Sequence, residues 1–213
     1  FSQQFRQAGF NLYIVGGAVR DHLLGIDNEN FDFTTDAKPE EVMRLFKAVI
    51  PTGIDHGTVT VRYEKHSFEV TTFRSEGSYQ DGRHPSSVTF ITNLEEDLKR
   101  RDFTINAFAV DLNDGKIIDL CGGKEDLKNR IIRAIGNPEE RFGEDGLRIL
   151  RACRFAGKLN FIIDEDTLKA MHTCRENLRN VSNERIREEL FRLVLSDHPE
   201  VGLNYMRECG LLP

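Results

Sequence analysis

The stretch YIVGGAVRDHLLGIDNENFDFTTDA, Tyr13 to Ala37, decides how the rest of the chain is read. It opens within an apolar run, Leu12-Tyr13-Ile14-Val15, of the kind that forms a buried strand. Gly16-Gly17 breaks the run, and Ala18 to Leu24 predicts a short helix stopped by Gly25. A glycine pair between a strand and a helix leaves backbone N–H groups facing a space free of side chains, which suits a phosphate. Arg20, one turn into the helix, would add charge to that cradle. Asn30-Phe31-Asp32-Phe33 predicts the next strand, whose alternation puts Asn30 and Asp32 on one face toward the cradle. Two short polar side chains at that spacing, beside a triphosphate, can hold a pair of Mg²⁺ ions. Taken singly, a glycine pair is most often a plain turn, and a strand aspartate a solvated edge.

The chain has 213 residues, enough for one substantial core or two modest domains. Its net charge of −6 argues against a wholly basic nucleic-acid binder, so a nucleic-acid partner would be met by local patches. No apolar run approaches the length of a membrane span, and no secretory segment is present. Cys121, Cys153, Cys174 and Cys209 lie far apart without a C-x-x-C, which reads as buried reduced thiols in a reducing, cytoplasmic setting and makes zinc improbable. The chain starts at Phe1 rather than Met and stops after Leu212-Pro213, so both ends read as cut.

Phe1 to Gly9 predicts the end of a helix, and Lys38 to Phe46 an amphipathic helix with Pro39 in its first turn. Two alternating strands follow, Thr58–Tyr63 and Ser67–Phe73, then a polar stretch from Arg74 to Ser87 and a return to strand at Val88–Ile91. From Asn137 the character changes. Asn137-Pro138 fits a helix start, no convincing strand appears beyond it, and helices are predicted at roughly 138–157, 165–178, 183–195 and 199–209, with Asp164 and Ser182 as caps. The fold class is therefore α+β, with a head at 1–135, an all-helical neck at 136–196 and the start of a further helical body at 197–213.

Three more sites carry chemistry. Glu69, in FEVTTF, faces away from Phe68 and Val70 on the side of Thr71 and Phe73. Lys99-Arg100-Arg101-Asp102-Phe103-Thr104-Ile105-Asn106 is a dense charged stretch, which by itself is most often a solvated face. In Glu144-Asp145-Gly146-Leu147-Arg148-Ile149-Leu150-Arg151-Ala152-Cys153-Arg154-Phe155, helical spacing makes Asp145 and Arg148 near neighbours, places Arg151 a step further round and puts Arg154 nearly opposite Asp145. The plain reading of that pair is a surface salt bridge contributing about 0.2–0.5 kcal/mol.

In order, GGAVRD, the x-x-D strand with TTDA, EVTTFR, RRDFTINA and EDxxRxxRxxRF resemble the class II branch of the nucleotidyltransferase superfamily: tRNA nucleotidyltransferases (CCA-adding enzymes) and bacterial poly(A) polymerases. The resemblance runs through nearly the whole chain. It implies a DNA polymerase β-like head, a small mostly antiparallel sheet with helices, followed by the helical neck. It implies Mg²⁺-dependent transfer of CMP and AMP from CTP and ATP to the acceptor end of tRNA without a template. Asp32, Glu69 and the position of Asn30 would be the catalytic, metal-binding set. The family has Asp where this chain has Asn30, and an amide is neutral and a poorer Mg²⁺ ligand than a carboxylate. Gly16, Gly17, Arg20, Arg101, Asp102 and Asn106 would contact the phosphates and ribose.

Asp145 and Arg148 would select the base, with Arg151 and Arg154 in the same nucleotide-binding motif and Arg154 assigned to packing or support. Cytosine and adenine both present an amino donor next to a ring-nitrogen acceptor, which a carboxylate beside a guanidinium matches; uracil and guanine present the reverse. His56-Gly57, in the segment Pro51 to Val59, resembles the tRNA-acting members rather than the poly(A) polymerases, and Arg74 to Pro85 resembles the full-length flexible loop of enzymes that add A as well as C. The body and tail that grip tRNA in this family are not in these residues, so they should bind CTP or ATP and hold tRNA poorly. A poly(A) polymerase, a dedicated A-adding enzyme, a catalytically impaired nucleotide- or RNA-binding module, a non-catalytic scaffold and any oligomeric state remain open on sequence.

Overall fold

The computed structural model describes residues 1–76 and 88–212. Residue packing separates two compact units; among the described residues the second takes Asp102–Thr104 and everything from Lys124 onward. The part of the Arg74–Pro85 stretch beyond Glu76 lies outside the described residues.

The first unit runs α1 (Ser2–Gln7), β1 (Leu12–Val15), α2 (Gly17–Leu23), β2 (Asp32–Thr35), α3 (Pro39–Leu45), β3 (Val49–Gly53), β4 (Thr58–Tyr63), β5 (His66–Thr72), β6 (Arg74–Glu76), β7 (Val88–Phe90), α4 (Leu94–Lys99), β8 (Phe108–Asp111) and β9 (Ile117–Asp119). Seven strands form one sheet in the order β3-β4-β5-β2-β1-β8-β9. All its pairings are antiparallel except β2 with β5, so the sheet is mixed and mostly antiparallel, as expected.

Alternation divides the two faces. Phe33 and Val70 join Leu12, Val59, Val61, Phe5 and Val42 in the core of one face. Val15 and Ala109 pack with Leu98 of α4 on the other. That second face also carries Asp32 and Glu69, and α4 covers part of it. Strands β3, β6, β8 and β9 were not legible as strands: each has at most five residues, and β3 contains Pro51 and Gly53, which break an alternating pattern.

The second unit contains α5 (Gly123–Asn129), β10 (Ile131–Ile132), α6 (Pro138–Glu144), α7 (Leu147–Leu159), β11 (Ile162–Ile163), α8 (Glu165–Thr173), a 3-10 segment at Arg175–Asn180, α9 (Asn183–Val194) and α10 (Pro199–Glu208). Two expectations are corrected here. The helix expected over 138–157 is broken between Glu144 and Leu147, where Asp145 takes an extended backbone (φ −144°, ψ 105°). The region beyond 137 is also not purely helical, because β11 pairs in parallel with β10. Pairs of isoleucines are too short to give a period. The helix expected at 165–178 ends as α-helix at Thr173. Asn137 and Asp164 do cap their helices with side-chain oxygens, whereas Ser182 makes no such bond.

α7 and α10 approach closely because Gly202 carries no side chain. A Cβ there would lie 2.2 Å from Leu193 Cδ1 and 2.4 Å from the Cys153 carbonyl oxygen. Helix backbones cannot move apart locally without losing the contacts on either side. Gly202→Ala should therefore destabilise the chain by about 1–3 kcal/mol, the usual cost of overpacking. Chemical denaturation would check this, and an unchanged midpoint would contradict it.

Candidate active site

In the first unit, β2 and β5 run parallel with Asp32 directly beside Glu69. Both side chains enter a pocket of about 220 Å³ that Val15, Phe33, Thr71, Arg74, Arg100 and Arg101 also line. Among the described residues neither carboxylate makes a hydrogen bond or ion pair. Partial burial pushes the Asp32 carboxyl above its usual value, and the attraction of Arg101 offsets only part of that. Two carboxylates with no partner among the described residues thus share one pocket with three arginines.

The arginines are held from beneath by one residue that the sequence did not single out. Asp97 on α4 is fully buried. Its Oδ1 accepts from Arg100 Nη2 at 2.8 Å and from the Arg74 backbone N–H at 3.3 Å, and its Oδ2 accepts from Arg101 Nη2 at 3.3 Å and Thr34 Oγ1 at 3.4 Å. Arg101 Nε is buried with no partner, and its Nη1 lies where a side chain on Gly16 would be, 3.3 Å from the missing Cβ. Gly16 has φ +73°, a conformation that glycine adopts freely. The bare turn and the arginine thus share one space. Asp97 was missed because a lone Asp in LEEDLKRR reads as one charge among many on a solvated face.

Burial alone would raise the Asp97 pKa, but Arg100 and Arg101 together hold it below its ordinary 3.8. A carboxylate with a depressed folded pKa stabilises the fold above its unfolded pKa, and that contribution disappears as pH falls through the folded value. The stability difference between wild type and Asp97→Asn should then be constant above about pH 5 and shrink below about pH 4. Denaturation at a series of pH values measures it, and a difference that grows in acid would contradict the assignment.

One expected member stands elsewhere. Asn30 does not lie on the strand: β2 begins at Asp32, and Asn30 sits in the preceding loop, exposed, its backbone N–H donating to Asn28 Oδ1 at 2.9 Å. Asn28 Nδ2 in turn donates to Asp21 Oδ2 at 2.9 Å, so the loop is tied to α2 and the alternation does not extend back from Asp32. Arg20 lies at the glycine cradle, with its guanidinium already bonded to protein groups. It is buried, with Nε donating to Asp21 Oδ1 at 2.7 Å and Nη1 to Asn106 Oδ1 at 2.6 Å. Its guanidinium lies against Gly17. Arg20 and Asn106 brace the glycine turn. Among the described residues no group of three or more His, Cys, Asp or Glu side chains is gathered for a metal.

In the second unit, Asp102 is buried and its Oδ2 accepts from Arg151 Nε at 2.8 Å and Nη2 at 2.6 Å. Arg154 donates to Glu189 Oε2 and lies 4.0 Å over the Phe155 ring. The Asp145–Arg148 pairing expected from helical spacing is corrected: the break at Asp145 takes it off the helix. Its carboxylate pairs with Arg185, Nη2 to Oδ2 at 2.7 Å, while Arg148 donates to Glu144 and, at 3.1 Å, to the Arg141 carbonyl. Arg185 and Glu189 escaped the sequence reading because SNERIREEL is an ordinary charged helix face until its partners are known. All four cysteines are free; Cys153 and Cys209 are buried, Cys121 and Cys174 half-buried.

Comparison with known proteins follows the same lines. Residues 12–133 match the poly(A) polymerase head domain, and residues 160–213 match the probable RNA and SrmB-binding site of polymerase A. The CCA-adding enzyme of Lactobacillus helveticus is 55% identical over 196 residues, covering 92% of this chain and 49% of that enzyme. That of Oceanobacillus iheyensis is 52% identical, covering 95% and 50%. The crystal structure of the Bacillus stearothermophilus CCA-adding enzyme in complex with CTP superposes with a TM-score of 0.91 at 44% identity, covering 99% of this chain and 51% of that one. A tRNA nucleotidyltransferase complexed with a primer tRNA and an incoming ATP analogue gives a TM-score of 0.79 at 33% identity, covering 99% and 60%. The chain spans about half the length of the curated relatives it matches. The α+β head and helical remainder are those of these enzymes, and the head-domain match extends over more than half of the sequence. The chain belongs to the poly(A) polymerase head-domain family, the group of class II tRNA nucleotidyltransferases and bacterial poly(A) polymerases.

Proposed function

We propose that this chain is the catalytic and base-selecting part of a cytoplasmic tRNA nucleotidyltransferase that adds CMP and AMP from CTP and ATP to the tRNA 3′ end. The observation that carries the reading is the register of Asp32 with Glu69 in a pocket shared with Arg74, Arg100 and Arg101. Enzymes of this family use a divalent cation. The fit of the residues present is good for one such ion: two carboxylates with no partner among the described residues supply two negative charges, and water and phosphate oxygens would complete an oxygen shell. We assign Mg²⁺, held by Asp32 and Glu69. When bound, it neutralises charge on the triphosphate and acidifies an attacking hydroxyl.

The remaining work falls to the chain's own side chains. Arg101, braced by Asp97, grips phosphate oxygens with a planar fork, and the Gly16–Gly17 turn lets the phosphates approach the backbone. Arg20 and Asn106 keep that turn in shape. In the second unit Asp145 accepts from the amino group of cytosine or adenine while Arg148 donates to the ring nitrogen, and Arg151 holds Asp102. The pairing favours C and A and mismatches U and G.

A second reading rests on Asn30. With an amide in place of a third carboxylate, and in the loop rather than on the strand, the chain would bind nucleotide and turn over slowly. Incubation with [α-³²P]CTP and a tRNA lacking its terminal CCA separates the two readings. Label transferred to RNA with release of pyrophosphate, stopped by EDTA, supports the transferase. CTP binding without transfer, at a tRNA concentration where the tRNA is also bound, supports the impaired module.

A further inference from the structure

We propose that Arg185 is a positioning residue that fixes the single acceptor with which Asp145 selects the incoming base; this rests on the selector role given to Asp145 and Arg148 above. Asp145 sits in the extended link between α6 and α7, where no helical ladder sets its direction. Its Oδ1 accepts from the Leu147 backbone N–H at 3.0 Å and from Arg185 Nη1 at 3.4 Å. Its Oδ2 accepts from Arg185 Nη2 at 2.7 Å. An ionised carboxylate offers about four acceptor sites. With those bonds made, one is left, on Oδ2.

A guanidinium holding both oxygens also fixes the carboxylate plane, which a single bond from Leu147 would not. A fixed lone pair discriminates. It meets the amino group of cytosine or adenine and repels the carbonyl of uracil or guanine. A carboxylate free to turn could swing away from a carbonyl and lose that repulsion. Arg148 donates instead to Glu144 and to the Arg141 carbonyl. The side chains of Arg185 and Asp145 remain 24% and 13% exposed, so the pair lies at a surface that a ligand can reach.

The test is titration calorimetry of the chain with CTP, ATP and UTP, on wild type, Arg185→Ala, Arg185→Lys and Asp145→Ala. Arg185→Ala should weaken CTP and ATP while UTP binding holds, so that the CTP-to-UTP affinity ratio falls about tenfold. Arg185→Lys keeps the charge without the fork and should lose about threefold. A merely structural ion pair would lower the melting temperature and weaken all three nucleotides alike; an unchanged ratio in Arg185→Ala overturns the proposal. If Arg185→Ala does not fold, the ratio in Arg185→Lys decides in the same way. An unchanged ratio in Asp145→Ala would overturn the selector reading, and the role of Arg185 with it. A ratio lowered in Asp145→Ala but not in Arg185→Ala would overturn the role of Arg185 alone.

Discussion

Asp32→Asn is expected to lower the rate of nucleotide transfer by about 10²–10³-fold, the usual effect of removing one preorganised group that faces transition-state charge. The side chain keeps its size and its place beside Glu69, so the fold should stand. What is lost is one of two carboxylates that have no hydrogen bond or ion pair to any described residue. The pocket then keeps its arginines but only one negative charge for a divalent cation. Nucleotide affinity should change little, because the phosphate grip of Arg101 and the base contacts lie on other residues. A change confined to the chemical step lowers kcat and kcat/KM together and leaves KM in place. Single-turnover transfer rates, with CTP affinity measured alongside, give the answer. A variant with wild-type rate would remove Asp32 from the chemistry.

Asp145→Ala is expected to reduce discrimination against UTP by about 1–3 kcal/mol, the cost of a buried polar group left unpaired. The carboxylate supplies the acceptor for an amino group. Without it, Arg148 is left to donate to the uracil carbonyl as readily as to a ring nitrogen. Arg148→Ala should instead weaken CTP and ATP together, because both use that donor. Measuring kcat/KM for all four nucleotides on both variants distinguishes these patterns. An unchanged CTP-to-UTP ratio in Asp145→Ala would return the residue to its ion pair with Arg185 and nothing more.

Much of the head was legible because its signals are local. The apolar run before Gly16-Gly17, the glycine turn itself and the alternation in FEVTTF are set by neighbours in sequence, and the structure places β1, α2 and β5 there. The partnership of Asp32 with Glu69 needed a long-range fact, the parallel pairing of β2 with β5, which no local period carries. The errors have the same origin. Helical spacing drawn straight through Glu144-Asp145-Gly146 joined Asp145 to Arg148. It missed that Asp145 takes an extended backbone and that Gly146 sits against the backbone of the 3-10 segment, with Asn177 O 2.5 Å from where a Cβ would be. Strand alternation carried back to Asn30 missed the Asx-type bond from its own N–H to Asn28. Arg20 and Arg151 were legible as positive charges near a nucleotide. Their carboxylate partners, Asp21 and Asp102, were in view, but nothing in a one-dimensional reading says that a charge is already matched.

The most direct test of the account is the sequence of RNA 3′ ends after the chain has been incubated with all four nucleoside triphosphates, Mg²⁺ and a tRNA ending just before its CCA. The Asp32–Glu69 pocket and the Asp145–Arg148 selector together predict tRNAs extended by C and A and stopping at CCA. Ends carrying U or G, or long runs of A, would contradict it.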